Sequence, residues 1–394
     1  MPDVVTPVTS VGIQADDLTG ACDAGAQFAA RGLATIVLLA GAPWPTQPAA
    51  VTVVDTESRG LDPEAARQRA REAGALLARR AGLLYKKVDS TLRGAVAAEI
   101  AGMLGGVDLT RVLLAPAFPA QGRTVVDGIV SVHGRPASET AVACEPAFPP
   151  TGSSALALLG ASGPHPVVAL PLALVRRGSD RVRESLERFD GAFVADAETD
   201  VDLDTLASAA RPVATLFAGS AGLAAALASG LGGDARAVKL VEGEDEAAPG
   251  RLGAVRGERR PGSSLLVVAG SAHPATRAQV ARFRDRGGSV LEPADADDFE
   301  KPGRRAETVE RLAAAARASV ERHRPGMLLL AGGETAVAVV RALEASGLRL
   351  DGEVEPGVAG GRLLDGPFAG LPLVTKAGGF GDPDTLVRLQ AACA

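Results

Sequence analysis

Short apolar runs recur along the chain, and each ends in a polar or glycine-rich turn that leads into a segment of helical period. Ser10–Ala15, Thr35–Ala40, Val51–Val54, Leu83–Tyr85 and Arg111–Ala115 read as strands, as do Val167–Leu170, Ala192–Ala195 and Val213–Phe217. Between them lie predicted helices over Ala21–Ala30, from Pro63 to about Arg80, and over Ala95–Leu104 with Val96, Ile100 and Leu104 on its apolar face. Asp62 before Pro63 reads as an N-cap with proline at the first helical position. The pattern resumes at Ser264–Ala269, Met327–Leu330 and Leu373–Thr375, with helices opening at Pro274 and Ala336. Strand–helix alternation of this kind predicts an α/β protein with mainly parallel sheets covered by helices.

Between Gly232 and Gly262 no apolar period survives, and acids from Glu242 to Glu246 precede arginines up to Arg260. That stretch reads as an interdomain linker. Two α/β domains follow, over 1–232 and 263–394, joined by residues 233–262; a chain of 394 residues suits two cores.

The strand ends carry the chemistry. Lys86-Lys87-Val88-Asp89-Ser90-Thr91-Leu92-Arg93-Gly94 stands where one strand hands over to a helix. Asp16-Asp17 ends the first strand, with Asp23 expected in the first turn of the next helix, and Asp55-Thr56-Glu57-Ser58-Arg59 ends the third. Ligands of α/β sheets bind at this edge, and helix N-termini there favour anions. The plain alternative is a set of solvated turns, with Ser90 or Thr91 capping, one of Asp16 and Asp17 capping, and Lys86 in a structural ion pair. The second domain has three such turns, at Gly270-Ser271, Gly332-Gly333-Glu334-Thr335 and Lys376 to Gly381. Each can present backbone N–H groups to phosphate. His273 is expected to pack at a helix start.

Composition narrows the classes. Hydrophobic residues make up 46%, charged residues 22% and aromatics 3%, so cores of Leu, Val and Ala are expected. A net charge of −6 argues against a nucleic-acid or anionic-membrane partner, so the basic clusters point to a small anionic ligand. Cys22, Cys144 and Cys393 lack metal spacing and suggest a reducing compartment. Met1–Ser10 has no signal-peptide pattern, and no run is long enough to span a membrane, so a cytoplasmic protein is expected. A homodimer is the expected assembly. There is no G-x-x-x-x-G-K-[ST], no G-x-G-x-x-G and no protein-kinase motif set. His133, His165, His273 and His323 lack zinc-ligand spacing, and no Ser–His–Asp arrangement is evident.

Together these segments resemble the four-carbon acid sugar kinases. The resemblance rests on Ala15 to Ala21, Asp55 to Arg59, Lys86 to Gly94, Pro116-Ala117-Phe118-Pro119 with Gln121 to Thr124, and Gly219 to Leu223. In the second domain it rests on Gly270-Ser271, Gly332 to Thr335, and Lys376 with Gly378 to Gly381. It departs over Val142–Thr151, where Glu145-Pro146 stands in place of Asp-Pro. The resemblance implies a sugar-acid-binding first domain and a nucleotide-binding second domain. It further implies phosphoryl transfer from ATP, with Mg2+, to a hydroxyl, O4, of an acid such as D-threonate, D-erythronate or a 3-oxo-tetronate.

The residues read independently agree. A sugar acid needs a cation, and Arg59, Arg93, Lys86 and Lys87 are available. Its hydroxyls need acceptors, which Asp16, Asp17, Asp55 and Asp89 supply; Ser58 and Ser90 add hydroxyls. Asp17 or Asp89 is the candidate base or orienting group, and Arg93 or a lysine the group that neutralises transferred charge. Ser271, Gly332, Gly333, Glu334, Thr335, Gly378 and Gly379 are the candidate ATP-site residues. Closure across the linker is expected, to keep water from the γ-phosphate. A kinase of another small hydroxy acid, glycerate-like, and a non-catalytic sugar-acid sensor are the competing readings.

Overall fold

The computed structural model describes residues 10–45, 49–144, 148–149, 151–161, 166–232, 265–271, 273–293 and 304–393. The predicted linker and Glu145-Pro146 lie outside the described residues.

The first half runs β1 (Val11–Ala15), α1 (Leu18–Ala29), β2 (Thr35–Leu38), β3 (Val51–Asp55), α2 (Pro63–Ala78), β4 (Leu83–Lys87), α3 (Val96–Gly106) and β5 (Arg111–Ala115). A small antiparallel sheet follows, of β6 (Arg123–Val126), β7 (Ile129–Val132) and β8 (Arg135–Pro136). Then come α4 (Ala155–Gly160), β9 (Val167–Leu170), α5 (Leu172–Val175), α6 (Ser179–Glu187), β10 (Gly191–Ala195), α7 (Asp200–Ala210), β11 (Leu216–Gly219) and α8 (Ala221–Gly232). The second half runs β12 (Leu265–Ala269), α9 (Pro274–Asp285), β13 (Ser289–Leu291), α10 (Arg305–His323), β14 (Met327–Ala331) and α11 (Gly333–Ala342). It ends with β15 (Gly347–Glu355), β16 (Val358–Leu363), β17 (Pro372–Lys376) and α12 (Thr385–Cys393).

The pairing is mainly parallel, as alternation predicts. Among the described residues the strands of both halves join in one 14-stranded sheet, ordered β13-β12-β14-β17-β16-β15-β2-β3-β1-β4-β11-β5-β10-β9. The seam is β2 against β15, antiparallel, with Leu38 opposite Gly347 and Thr35 opposite Leu350. The apolar pattern did not reveal this seam. β15 carries Arg349, Asp351, Glu353 and Glu355, and two register irregularities against β16 break its alternation.

Strands β1, β10 and β12 are buried along their whole length, as their largely apolar sequences require, and β4 is buried too although it ends in Lys86-Lys87. Helix α1 packs on α8, and α2 on α3. Asp62 caps α2 through Glu64 N and Ala65 N, with Pro63 at the first position. His273 caps α9, its Nδ1 accepting from Ala275 N at 3.2 Å. Helix α1 begins at Leu18 rather than Ala21, because Asp17 takes the N-cap. Asp23 therefore falls in the second turn, not the first. Strand β1 lies between β3 and β4, so the chain leaves β1 toward one sheet edge and later passes β4 toward the other. The loops after β1 and β4 thus flank the topological switch point, where an α/β sheet opens a crevice.

Candidate active site

Asp16 and Asp17 follow β1 directly. Arg59, from the loop after β3, reaches back and grips Asp16 through both oxygens, Nε to Oδ2 at 2.7 Å and Nη2 to Oδ1 at 2.9 Å. Its Nη1 donates to Asp17 Oδ2 at 2.8 Å. Asp17 also accepts from Thr19 Oγ1 at 2.6 Å and from Gly20 N at 3.0 Å. Burial would push the Asp16 carboxyl up, but Arg59, Lys86 and Lys87 outweigh it and hold the group below its ordinary range.

After β4 the chain turns at Asp89. Arg93 donates to both its oxygens, Nη2 to Oδ1 at 2.8 Å and Nε to Oδ2 at 3.0 Å, and Thr91 N adds a third contact at 3.0 Å. Thr91 Oγ1 also donates to Oδ2. Burial opposes ionisation of Asp89, yet Arg93, Arg59 and Thr91 hold it well below the carboxylate range. Of the two roles open to Asp89, that environment suits an orienting acceptor better than a base. The turn is strained: Leu92 has φ +66° and Gly94 φ +94°. A Cβ at Gly94 would stand 3.2 Å from Asp16 Oδ2, so the loops meet there.

Three predicted ligand groups sit deeper than expected. Lys86 is 0% exposed, its Nζ 3.1 Å from Glu99 Oε2 of α3. Ser58 donates to Glu99 Oε1 and shares a hydrogen bond with Thr56. Asp55 is fully buried, its Oδ2 has no hydrogen-bond partner among the described residues, and burial pushes its carboxyl well up. Lys86 and Ser58 meet Glu99 on the α3 side of the sheet, whereas Asp55 lies on the α1 side, within the field of Cys22. All three candidate ligand groups are buried. Lys87 Nζ stays at the crevice wall, donating to Val88 O at 2.9 Å, and Ser90 is buried beside it in the turn. Glu99 was not singled out from the sequence; its signal is an acid next to Ile100 on the apolar face of a helix. Arg123 of β6 joins this cluster, its guanidinium 5.0 Å from the Phe380 ring and within the field of Asp89.

In the second half the ends of β12, β14 and β17 converge. A Cβ at Gly270 would collide with Thr335 Oγ1, and one at Gly378 with Ser271 Oγ. Gly332 has φ +105° and caps α11, a conformation that glycine alone takes freely. The first N–H groups of α11 have no intrahelical acceptor. Thr335 Oγ1 is buried without a hydrogen-bond partner among the described residues. A cradle of small residues with an orphaned hydroxyl fits a phosphate-bearing nucleotide. Glu334 is an exception: its side chain is exposed and pairs with Arg305 at 2.7 Å, so only its backbone faces the cradle. Lys376, buried without a carboxylate partner among the described residues, donates to Ala377 O at 3.0 Å and Phe380 O at 2.9 Å, and burial lowers it to about 8. It stitches the glycine-rich turn shut. No group of three or more His, Cys, Asp or Glu among the described residues is placed to hold a metal ion.

The two clusters meet. A Cβ at Gly333 would stand 3.0 Å from Asp17 Oδ2 and 3.6 Å from Thr19 Oγ1. The N-terminus of α11 thus abuts the carboxylates after β1. Across the same junction Arg341 grips Glu57, Nη1 to Oε2 at 2.9 Å and Nη2 to Oε1 at 2.5 Å, and Gln121 Nε2 donates to Pro356 O at 2.6 Å.

Two family models match the chain. Residues 11–227 match the model of a sugar-binding N-terminal domain, and residues 294–386 that of a nucleotide-binding C-terminal domain. Fold and site together define a phosphotransferase whose acceptor and nucleotide halves face each other. The chain is 36% identical to D-threonate kinase of Bordetella bronchiseptica over 428 residues, covering 97% of each protein. It is 31% identical to D-erythronate kinase of Heliobacterium modesticaldum over 439 residues, covering 96% of this chain and 95% of that one. A solved Haemophilus influenzae structure shares the fold at a TM-score of 0.72, with 21% identity over 97% of this chain and all of that one. A Bordetella bronchiseptica structure with bound citrate, a domain-swapped dimer, is 33% identical over 98% of each chain at a TM-score of 0.50. The chain belongs to the four-carbon acid sugar kinase family. No helix among the described residues is long and apolar enough to cross a membrane.

Proposed function

We propose that the protein transfers the γ-phosphoryl group of ATP to O4 of a four-carbon sugar acid, with D-threonate first among candidates and D-erythronate and 3-oxo-tetronates next. The observation that carries this reading is the abutment of Gly333, at the N-terminus of α11, on Asp17. An acceptor bound at the β1 and β4 loops then lies against a phosphate held at α11. MgATP, when bound, supplies the phosphoryl group and the metal that offsets its charge. Ser271, Gly332, Gly333, Thr335, Gly378 and Gly379 hold the phosphates, with Glu334 contributing its backbone N–H. Arg93 and Lys87 receive the acid's carboxylate and developing charge, a role for which Arg93 offers a planar donor fork. Asp16 and Asp17, fixed by Arg59, and Asp89, fixed by Arg93, accept from the acid's hydroxyls together with Ser90. The division of labour places the sugar-acid domain at 1–232, the linker at 233–262 and the nucleotide domain at 263–394. A homodimer is the proposed assembly, by likeness to the Bordetella bronchiseptica dimer.

The test is ADP release by purified protein with MgATP across D- and L-threonate, D- and L-erythronate, their 3-oxo forms and D-glycerate. Strong turnover on one four-carbon acid supports the reading. Turnover on D-glycerate alone moves the acceptor to another hydroxy acid, and nucleotide binding without any turnover supports a sensor.

A further inference from the structure

The carboxylates at the sheet edge are dressed with donors. Asp16 is held by Arg59, Asp17 by Arg59, Thr19 and Gly20, and Asp89 by Arg93 and Thr91. For Asp16 and Asp89 these donors hold the carboxyl below its ordinary range. Asp23, on the α1 wall of the same cluster, is less well supplied. Asp23 is 7% exposed, and its Oδ1 has no hydrogen-bond partner among the described residues. It sits in the second turn of α1, past the reach of the helix N-terminus, so the macrodipole does not account for an acid there.

Its position follows from helix geometry. Thr19 and Asp23 are four residues apart and share a face of α1. Thr19 Oγ1 lies 3.6 Å from the Cβ position of Gly333, at the junction of the two halves. Gly20, three residues before Asp23, has its Cβ position 3.1 Å from Lys87 Nζ. Asp23 is therefore one turn along α1 from the point where acceptor and phosphate meet, on the wall that holds Lys87. The charged and titratable groups around it are Lys87 of β4, Glu353 of β15, Asp17 and Asp89; Arg123 of β6, Tyr85 of β4 and Cys22 of α1 also lie within its field.

We propose that Asp23 is the general base of the phosphoryl transfer, its unpartnered carboxylate oxygen accepting the proton of the acid's attacking hydroxyl. This rests on the kinase reading above. The hydroxyl O–H bond breaks and its proton passes to Asp23. The hydroxyl oxygen bonds to the γ-phosphorus, the bond from that phosphorus to the β–γ bridging oxygen breaks, and ADP leaves with the electron pair. Asp23 then returns its proton to solvent. A buried oxygen without a donor is costly, and the substrate hydroxyl is the donor that completes it. Burial raises the Asp23 carboxyl to about 7; Lys87 pulls it down, and Glu353, Asp17 and Asp89 push it up. A base of that value exchanges protons near neutral pH.

The experiment is the pH dependence of kcat/KM for wild type, Asp23→Asn, Asp23→Glu and Glu353→Gln on the best acid, with nucleotide affinity measured alongside. Wild type should gain activity with rising pH and level off above about 7. Asp23→Asn should lose ~10²- to 10⁴-fold in kcat with nucleotide affinity unchanged, and its residual rate should lack the acidic limb. Asp23→Glu should recover part of the rate and the limb. Glu353→Gln should move the limb to lower pH, since it removes a charge that raises Asp23. A readout without turnover is denaturation: the folded carboxyl is raised above its unfolded value of about 3.9, so wild type loses stability as pH rises from there to about 7, and Asp23→Asn does not. Turnover of Asp23→Asn within about threefold of wild type, or loss of rate with the limb intact, would overturn the assignment. Absence of wild-type turnover on every acid would instead fall on the kinase reading and take this proposal with it.

Discussion

Lys86 and Glu99 hold each other in a dry layer beneath the strand ends, with Ser58 closing the second carboxylate oxygen. Glu99→Gln would leave the ammonium uncompensated, at a cost of about 3–5 kcal/mol, read by urea unfolding. Asp89→Asn should behave differently: the orienting role proposed for Asp89 predicts turnover lowered by ~10²-fold or more while the chain still folds. Its stability effect has a sign. The folded carboxyl lies below its unfolded value of about 3.9, so its contribution is fully present above that pH and is lost as pH falls through the lower folded value. The stability gap between wild type and Asp89→Asn should therefore narrow in acid below about pH 4. Residue identity made Asp16, Asp17, Asp89 and Arg93 legible in the sequence, since charges at a strand end have few structural uses. It could not separate Lys86 from Lys87. Adjacent residues of a strand face opposite sides of the sheet, and only the acid on α3 decides which one is paired beneath it.

At the scale of elements, the site is a set of strand-to-helix turns held in unusual backbone. Glu57 at φ +48°, Leu92 at φ +66° and Gly332 at φ +105° each lie beside a candidate ligand group. Thr335 stands in the first turn of α11, where backbone N–H groups lack intrahelical acceptors. Thr335→Val removes a buried hydroxyl that has no partner among the described residues. Stability of the nucleotide-free protein should stay equal or rise, while KM for ATP rises ~10-fold, the loss of about one hydrogen bond. Matched melting and ATP titrations would show the opposite signs. Parallel strands such as β5, β10 and β12 were legible because they are largely buried and read as apolar runs, whereas the short, partly exposed edge strand β13 was not. The hairpin β15–β16 was not, since its bulges shift the alternation that marks a strand.

At the scale of the molecule, one sheet among the described residues spans both halves through the β2–β15 seam, so the two clusters lie along one sheet. The Glu57–Arg341 pair straddles that edge, with Arg341 half exposed. A double-mutant cycle on Glu57→Gln and Arg341→Ala should give a coupling of about 0.2–1 kcal/mol that fades in high salt. Nothing in local period foretells such a seam, because strand partners distant in sequence are chosen by tertiary packing. The central claim is that the two clusters act on one phosphoryl group. Phosphorus NMR of wild type with MgATP and D-threonate tests it directly. The predicted spectrum shows ADP and a phosphomonoester of the acid growing in equal amounts. ADP accompanied by inorganic phosphate, with no ester on this or any other four-carbon acid, would contradict it.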